Sequence, residues 1–332
     1  MTQIQWFPGH MHKARVQIQE AQPKIDLFIE LLDARIPYSS ENPMLAELRA
    51  QKPTLKLLSK SDLADVSLLK RWQQYLDQQQ NTRAKAVTTT NPSSIRRLRD
   101  YCHQMLPQRA DSGRPIVAMI VGIPNVGKST LINILAGRTI AKTGNEPAVT
   151  KGQQRINIGD GVSLLDTPGV LWPNVENPNS GMRLAATGAI KDTAMDYAEV
   201  GFFLGKYLLE TVPERLLDRY GIAEKPDDII SLMDQIGQKR GCLGRGGVVD
   251  WDKTSRILLT EFRAGKLGLI TLETPEMMEK ERLEVSAAIA EKAAAKAENN
   301  TRRKNEFKKK KAREKQSAND PRAKRKRKRK RK

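Results

Sequence analysis

The residues whose types and spacing most clearly point to chemistry form a glycine-rich loop at positions 122–129, Gly-Ile-Pro-Asn-Val-Gly-Lys-Ser. It follows an apolar run at 116–121 and opens a helix-like stretch at 129–136, the context that a phosphate-binding loop requires. Its backbone N–H groups and the positive end of the helix can cradle phosphates. We expect Lys128 to act in catalysis at the β- and γ-phosphates, and Ser129 to hold Mg²⁺. The residues expected to contact a nucleotide here are Asn125, Val126, Gly127, Lys128, Ser129 and Thr130.

A second phosphate-side motif, Asp166-Thr-Pro-Gly169, follows a strand-like run at 162–165. Asp166 is expected to contact Mg²⁺, usually through water, and the N–H of Gly169 to sense the γ-phosphate. Thr150 lies between the two motifs, where a switch-loop hydroxyl completes the Mg²⁺ shell only while a γ-phosphate is present. Most loop threonines are merely solvated, but this position favours a catalytic and metal-binding role. The predicted metal ligands are Ser129, Thr150 and Asp166.

A base-recognition motif precedes the phosphate loop instead of following Gly169. Residues 59–62, Ser-Lys-Ser-Asp, are close to the [NT]KxD pattern and end a buried-strand pattern at 54–58. A carboxylate accepts from both N1–H and the 2-amino group of guanine, a pair of donors that adenine lacks. We therefore predict guanine recognition by Lys60 and Asp62, although an exposed ion-bearing turn would have the same composition. Residues 86–90 are predicted to be the last strand and the base-supporting loop, which would add Thr88 and Thr89 to the nucleotide contacts.

The order of these motifs is a circular permutation of a small GTPase, because the base motif and its loop come before the phosphate loop. Strand-like and helix-like runs alternate, which predicts an α/β fold with a mostly parallel sheet, helices on both faces, and phosphate chemistry at the carboxyl ends of the strands. The helices predicted before the phosphate loop are 12–22, 67–80 and 93–106, and a strand is predicted at 26–32.

Three regions are predicted along the chain. Residues 1–175 form the circularly permuted P-loop GTPase domain, and residues 176–274 form a small C-terminal helical domain suited to RNA. Residues 275–332 form a helical arm, expected to reach Ala297, and a disordered Lys/Arg-rich tail. Helices of the second region are predicted at 181–212, 226–238 and 251–265, after a Pro- and Asn-rich linker at 172–180. A movement of the Asp166 motif could then reorient the helical domain directly.

The chain resembles the ribosome biogenesis GTPase A (YlqF) family of circularly permuted GTPases. Besides the motif order, the resemblance rests on four segments and covers residues 4–273. These segments are Trp-Phe-Pro-Gly-His-Met at 6–11, Leu-Asp-Ala-Arg-Ile-Pro at 32–37, Gly-Ala-Ile-Lys-Asp at 188–192 and Arg-Gly-Gly-Val-Val-Asp at 245–250. The chain departs from the family at Ser59, where Asn is usual, and at Ala148, where Gly is usual. The first departure alters a polar contact that braces the base loop, and the second lowers switch flexibility.

The residue after the Asp166 motif is Val170, where Ras-like enzymes have a glutamine that orients water. We therefore expect slow hydrolysis without a partner. The resemblance implies a catalytic or water-positioning role for His10, which an RNA-contacting or solvated histidine would also explain. In related GTPases, an asparagine at the position of Asn125 helps to hold K⁺, although Asn125 could simply shape the loop. Asp33 and Arg35 follow a strand near the predicted base and switch side, where a salt-bridged structural role explains them at least as well as catalysis, so we leave them out of the catalytic set.

Composition limits the class of protein. With 332 residues and 39% hydrophobic content, the chain can bury a sizeable core and still contain an unfolded part. Its two cysteines match no metal-binding spacing and indicate a reducing compartment. The first 20 residues lack the apolar core of a secretory signal, and no run approaches the length of a membrane span. We expect a monomeric, cytoplasmic protein that does not bind membranes.

The net charge of +20 is concentrated at the C-terminus, because residues 301–332 contain 19 Lys and Arg against three Asp and Glu. Such a segment cannot bury a core and should be disordered when free. It favours salt-sensitive attachment to a polyanion such as RNA, although a solubilising tail or a nuclear-localisation signal would have a similar composition.

Three functions remain open at this stage. The leading interpretation, which depends on the resemblance, is a Mg²⁺-dependent GTPase using GTP/GDP that binds the large (50S) ribosomal subunit through rRNA late in maturation and is released on hydrolysis. Ribosomal particles would stimulate it, and K⁺ could assist. Val170 leaves open a nucleotide-gated RNA-binding chaperone with negligible turnover. Asp62 argues against an ATPase that acts on nucleic acid.

Overall fold

One mixed sheet organises the part of the chain that carries the motifs. The computed structural model describes residues 9–49, 51–140, 154–172 and 175–319. In these residues, six strands form a sheet in the order β3-β2-β1-β4-β6-β5. The strands are β1 (Leu27–Asp33), β2 (Thr54–Ser59), β3 (Thr82–Ala86), β4 (Ile116–Gly122), β5 (Gln154–Gly159) and β6 (Val162–Asp166).

The sheet is parallel except for β5, which pairs antiparallel with β6 at one edge. The central strands β1 and β2 are buried along their whole length, as expected for strands covered by helices on both faces. The predicted mostly parallel α/β sheet is thus confirmed. The edge strand β5 was missed, because its alternation of exposed and buried residues gives a weak apolar signal.

Thirteen α-helices lie in the described residues. Seven belong with the sheet: α1 (Gly9–Ala21), α2 (Pro43–Arg49), α3 (Val66–Asp77), α4 (Pro92–Arg96), α5 (Leu98–Met105), α6 (Pro107–Asp111) and α7 (Lys128–Ala136). The other six follow it: α8 (Pro178–Ala186), α9 (Tyr197–Thr211), α10 (Pro213–Tyr220), α11 (Ile229–Lys239), α12 (Trp251–Arg263) and α13 (Pro275–Asn319). None of these helices is both long and apolar enough to cross a bilayer.

Several predicted boundaries were wrong for identifiable reasons. The strand before the predicted base-supporting loop is β3, which ends at Ala86, so residues 87–90 form only the loop. The helix predicted at 181–212 is two helices, since Gly188 adopts a positive φ of 81° after α8. The arm does not end at Ala297, and α13 instead continues to Asn319. Its Lys, Arg, Glu, Gln and Ala residues are good helix formers, and no proline interrupts it.

The described residues up to Met278 form one compact unit, and those from Glu279 onward form a second. In the first unit, most buried apolar residues of the sheet and those of helices α8–α12 belong to one continuous core cluster. The predicted boundary at residue 175 falls inside this unit, so the division into a GTPase domain and a helical domain stays a prediction. A smaller cluster joins Leu32, Leu58 and Ala84 of three neighbouring strands to Trp72 of α3.

Candidate nucleotide site

The phosphate loop connects β4 to α7 and holds its lysine against its own backbone. Gly127, at the N-cap of α7, has a φ of 106°, a left-handed conformation that side chains resist. The ammonium of Lys128 is buried and donates to the carbonyl oxygens of Gly122 (3.0 Å) and Ile123 (2.9 Å). Burial lowers the pKa of Lys128 to about 8, although the charge of Asp166 opposes this shift. Ser129 and Thr130 occupy the first turn of α7 and are half-buried.

Asp166, at the end of β6, has the properties of a metal ligand. Its side chain is 1% exposed, and within the described chain its Oδ1 has no hydrogen-bond partner. Burial raises the pKa of Asp166 to about 6, and Lys128 only partly offsets this effect. A buried carboxylate oxygen without a partner fits Mg²⁺, which prefers oxygen ligands. The roles predicted for Ser129 and Asp166 as Mg²⁺ ligands stay predictions.

The segment after Asp166 packs closely against the phosphate loop. A Cβ placed on Gly169 would lie 2.9 Å from Cα of Pro124 and 3.2 Å from Nζ of Lys128, so only glycine fits here. The N–H of Val170 donates to the carbonyl of Gly122 at 3.2 Å. Because the Val170 side chain is 1% exposed, it is a core residue and cannot orient water.

The base motif depends on a buried ion cluster at the end of β1. Arg35 donates to both carboxylate oxygens of Asp33, at 2.9 and 2.7 Å, and Lys60 donates to Oδ2 of Asp33 at 2.9 Å. Burial alone would raise the pKa of Asp33, but the charges of Arg35 and Lys60 outweigh burial and hold the pKa well below its usual range. The salt bridge expected between Asp33 and Arg35 is present, and together with the Lys60 contact it fixes the position of Lys60.

Asp62 and the predicted base loop come together. The hydroxyl of Thr88 donates to Oδ1 of Asp62 at 2.6 Å and lies 2.8 Å from the hydroxyl of Thr90. Thr89 lies between them and is exposed. Asp62 is itself exposed, in a short 3-10 turn after β2, so its carboxylate is accessible to a ligand. Residues 26 positions apart in the chain thus form one surface.

Ser59 connects the base motif to the phosphate loop. Its hydroxyl lies 2.9 Å from the carbonyl oxygen of Leu32 and 2.8 Å from that of Val126. One hydroxyl proton serves these two acceptors, whereas the amide of an asparagine would offer two donors. The serine nevertheless reaches the phosphate loop, so this departure from the family pattern keeps a link between the two halves of the site.

Asn125 contacts the helical part of the first unit. It has a positive φ of 56°, and its Nδ2 donates to the carbonyl of Gly188 at 2.8 Å. The phosphate loop is therefore hydrogen-bonded to the Gly-Ala-Ile-Lys-Asp segment at 188–192. The predicted role of Asn125 as a K⁺ ligand stays a prediction.

For two of the residues predicted to be catalytic, His10 and Thr150, the side chain lies outside the part of the chain that the structure describes. Thr150 and Ala148 lie outside the described residues. His10 lies in α1, and its side chain also lies outside the described set. The next residue, Met11, is fully buried, and the N–H of Leu171 approaches its sulfur at 3.4 Å. His10 is thus the neighbour in sequence of a residue that contacts the segment after Gly169.

One site residue escaped the sequence analysis. Asn42 is fully buried, its Nδ2 donates to the carbonyl of Val170 at 3.0 Å, and its Oδ1 accepts from the N–H of Met44. It thereby fixes the backbone directly after the Asp166 motif. The polar run before Pro43 offered no motif to identify it, because the contact spans 128 residues.

Comparisons with known proteins agree with this geometry. A family model described as a 50S ribosome-binding GTPase matches residues 117–201. Ribosome biogenesis GTPase A of Bacillus cereus is 47% identical over 280 residues, covering 82% of this chain and 94% of the relative. Mitochondrial ribosome-associated GTPase 1 of mouse is 32% identical over 296 residues, covering 81% and 89%. The crystal structure of GNP-bound YlqF from T. maritima superposes with a TM-score of 0.57 at 27% identity, covering 80% of this chain and 99% of that one.

Proposed function

Since this chain belongs to the ribosome biogenesis GTPase A family, we propose that it binds the large ribosomal subunit through rRNA late in assembly and leaves on hydrolysing GTP. The hydrogen bond from Ser59 to Val126 supports the nucleotide-binding part of the proposal most directly, because it holds the base motif against the phosphate loop. One guanine nucleotide could then contact both motifs despite their reversed order in the chain. The ribosomal part is supported by the family.

The described residues would divide the work in a simple way. Asp62 recognises the base, with Thr88 and Thr89 beside it and Lys60 fixed by Asp33. The loop amides and Lys128 hold the phosphates, which suits a reaction that depends on positioning and charge stabilisation. Ser129 and Asp166 would hold Mg²⁺, which supplies further positive charge to the phosphates when bound. Thr150 would complete its shell, and Gly169 would respond to the γ-phosphate.

Hydrolysis requires a group that the Asp166 motif does not supply, because Val170 is buried. We assign water positioning to His10, since α1 contacts the backbone at Leu171 through Met11. The Oδ1 of Asn125 is the atom suited to K⁺, while its Nδ2 binds Gly188. We therefore propose slow turnover by the isolated monomer in the cytoplasm and faster turnover on ribosomal particles.

The test is GTP hydrolysis in K⁺ buffer, measured alone, with 50S subunits and with 30S subunits. We expect strong stimulation by 50S only, and loss of that stimulation in His10→Ala with GDP affinity retained. His12→Ala is a matched control, because His12 is exposed and lies in the same helix. Equal rates with 50S, with 30S and alone would contradict stimulation of hydrolysis by the large subunit. Equal rates in K⁺ and Na⁺ would contradict the role of K⁺.

The buried side chain of Val170 also favours a second candidate, a nucleotide-gated RNA-binding chaperone with negligible turnover. That protein would bind 50S subunits more tightly with a non-hydrolysable GTP analogue than with GDP, yet its hydrolysis rate would not rise on the particle. Binding and turnover measured on the same samples separate the two candidates.

A further inference from the structure

A basic groove lies along the edge strand β3, at the end of the sheet opposite the base motif. It has a volume of about 680 Å³, and Arg83, Lys85 and Tyr101 are among the residues that line it. This volume falls within the range of ligand pockets, about 300–1,000 Å³. Gln104 and Met105 of α5 extend the wall that Tyr101 begins.

Strand alternation explains why the two basic side chains share this groove. Arg83 and Lys85 are two residues apart in β3, so both project from the same face of the sheet. Ala84, between them, is buried in the small apolar cluster on the other face, with Trp72 and Leu76 of α3. The Arg83 and Lys85 face is the one that α5 covers, because Tyr101 is on that helix.

Tyr101 has two cations close to its ring. Nζ of Lys85 lies 5.5 Å and Cζ of Arg97 lies 5.8 Å from the ring centroid, both within cation–π range. The tyrosine is only half-buried, and Arg97 is exposed. A half-exposed aromatic ring and a planar guanidinium both offer flat faces on which an unpaired base can stack.

The chain segment that supplies Arg83, Lys85 and Tyr101 is strongly basic. Residues 83–114 contain seven Lys and Arg against two Asp and Glu, whereas the rest of the first 300 residues is close to neutral. Two of these arginines are neutralised, Arg99 by Asp160 and Arg109 by Asp26. Within the described residues, Arg83, Lys85 and Arg97 have no carboxylate partner.

The groove contains one opposing charge, that of Asp77. Its Oδ1 accepts from the N–H of Ala84 at 2.7 Å, so the carboxylate serves the turn between α3 and β3. Protection of an edge strand against aggregation would account for Arg83 and Lys85. It would not account for a tyrosine whose ring lies close to both Lys85 and Arg97.

From this geometry we propose that the groove binds single-stranded RNA, with a base stacked at Tyr101 and phosphates at Arg83, Lys85 and Arg97. This surface is distinct from the nucleotide site, the helical region and the basic tail. The inference does not depend on GTP turnover, because free RNA is sufficient to test it.

The experiment measures binding of the full chain to a fluorescein-labelled oligouridine of about 12 nucleotides, a length typical of single-strand sites. The salt is raised until the contribution of the basic tail is largely screened. We expect Tyr101→Leu to weaken binding about tenfold, and Tyr101→Phe to stay within about twofold of the parent, because stacking needs the ring and not the hydroxyl. GDP affinity, measured on the same variants, reports whether each one is folded.

A matched pair of arginines tests the phosphate contacts. Arg83→Gln should reduce the slope of log affinity against log salt by about one, whereas Arg155→Gln, on the exposed face of the opposite edge strand β5, should leave it unchanged. The proposal fails if Tyr101→Leu binds RNA as tightly as the parent, or if the two arginine variants have equal slopes. Displacement of the RNA by polyglutamate, with no effect of Tyr101→Leu, would assign the groove to an acidic protein instead.

Discussion

At the scale of single residues, the carboxylate proposed to recognise the base and the groups proposed to act at the phosphates have opposite surroundings. Asp62 is exposed and supported by Thr88, whereas Lys128 and Asp166 are buried beside each other. The carboxylate that we propose for base recognition is thus solvated and has a fixed orientation. The carboxylate that we propose for metal binding is buried, where a negative charge without a cation is unfavourable.

Replacing Asp62 with Asn should remove the acceptor pair for guanine. We expect Asp62→Asn to lose about 3 kcal/mol of GDP binding, on the order of 100-fold, because two hydrogen bonds to a charged group are replaced. Competition between GDP and a fluorescent guanine nucleotide measures this loss. Asp65→Asn is the control, since Asp65 caps α3 and asparagine caps a helix equally well. A loss of the same size in both variants would refute base recognition by Asp62.

Asp166 should make the free energy of unfolding fall as the pH rises, which is the opposite of the usual effect of an aspartate. Its pKa is about 6 in the folded protein against 3.8 for the free side chain, so the fold favours the protonated form. The stability that comes from keeping Asp166 protonated is fully present below pH 3.8. It is lost as the pH rises through about 6, because the folded protein must then bury the charged carboxylate. In nucleotide-free protein, Asp166→Asn should therefore raise the free energy of unfolding by about 2 kcal/mol at pH 7.

The same substitution should abolish the Mg²⁺-dependent part of nucleotide affinity, because an amide cannot supply the anionic ligand. Denaturant unfolding at pH 4 and pH 7 provides an internal control, since the parent and the variant should converge at the lower pH. A variant that is less stable than the parent at pH 7 would show that ionised Asp166 stabilises the fold.

At the scale of elements, the carboxyl ends of β1, β2, β4 and β6 supply nearly all of the described site. β2 leads into the base motif, β4 into the phosphate loop, and β6 ends at Asp166. The ends of parallel strands meet at one edge of the sheet, so chain order is irrelevant to their position in space. The permuted order therefore preserves the site, and short contacts such as that of Ser59 align the loops.

Ser59→Ala should loosen this alignment. We expect the free energy of unfolding to fall by about 1–2 kcal/mol, because two buried carbonyl oxygens lose their donor. The dissociation rate of GDP should rise, since the phosphate loop and the base motif are no longer joined at Val126. Thr82→Val is the control: it removes a buried hydroxyl that bonds Gln80, at the far end of the sheet. Stopped-flow release of a fluorescent GDP should be faster only in Ser59→Ala.

At the scale of the whole first unit, the chain returns to the sheet after the last small helix. The N–H of Leu272 donates to the carbonyl of Arg35 at 2.7 Å, and Glu273 accepts from the N–H groups of Tyr38 and Ser39. The guanidinium of Arg35 lies 5.3 Å from the ring centroid of Phe262 in α12. The cluster that fixes Lys60 therefore also touches the helical region, which links the predicted base motif to that region.

Removing the charge of Arg35 should destabilise this unit. Arg35→Met leaves Asp33 buried with only Lys60, and we expect a loss of about 3 kcal/mol in the free energy of unfolding. Amide hydrogen exchange should increase at residues 270–274 and in the base motif. Arg256→Met is the control, because Arg256 also pairs with an aspartate and lies over a tyrosine, but at the surface. We expect Arg256→Met to lower the free energy of unfolding by no more than about 1 kcal/mol. Equal losses in the two variants would show that burial does not make the Arg35–Asp33 pair more important for stability.

The sequence by itself determined the phosphate loop, the Asp166 motif, the base motif and their permuted order. These features are local, because each depends on residue types at fixed short spacing. The strands and helices around them were predictable for the same reason, since apolar periodicity is a local property. Weakly patterned elements such as β5 and α2 were not predictable, because neither a long apolar run nor a cap identified them.

Only the tertiary structure decided which groups act together. The bonds from Asn42 to Val170 and from Asn125 to Gly188 join segments far apart in the chain, and no motif encodes them. The buried position of Val170 and the groove beside Tyr101 also depend on packing between elements. Residue type fixes what a side chain can do, but burial and partners are set by segments that meet only when the chain folds.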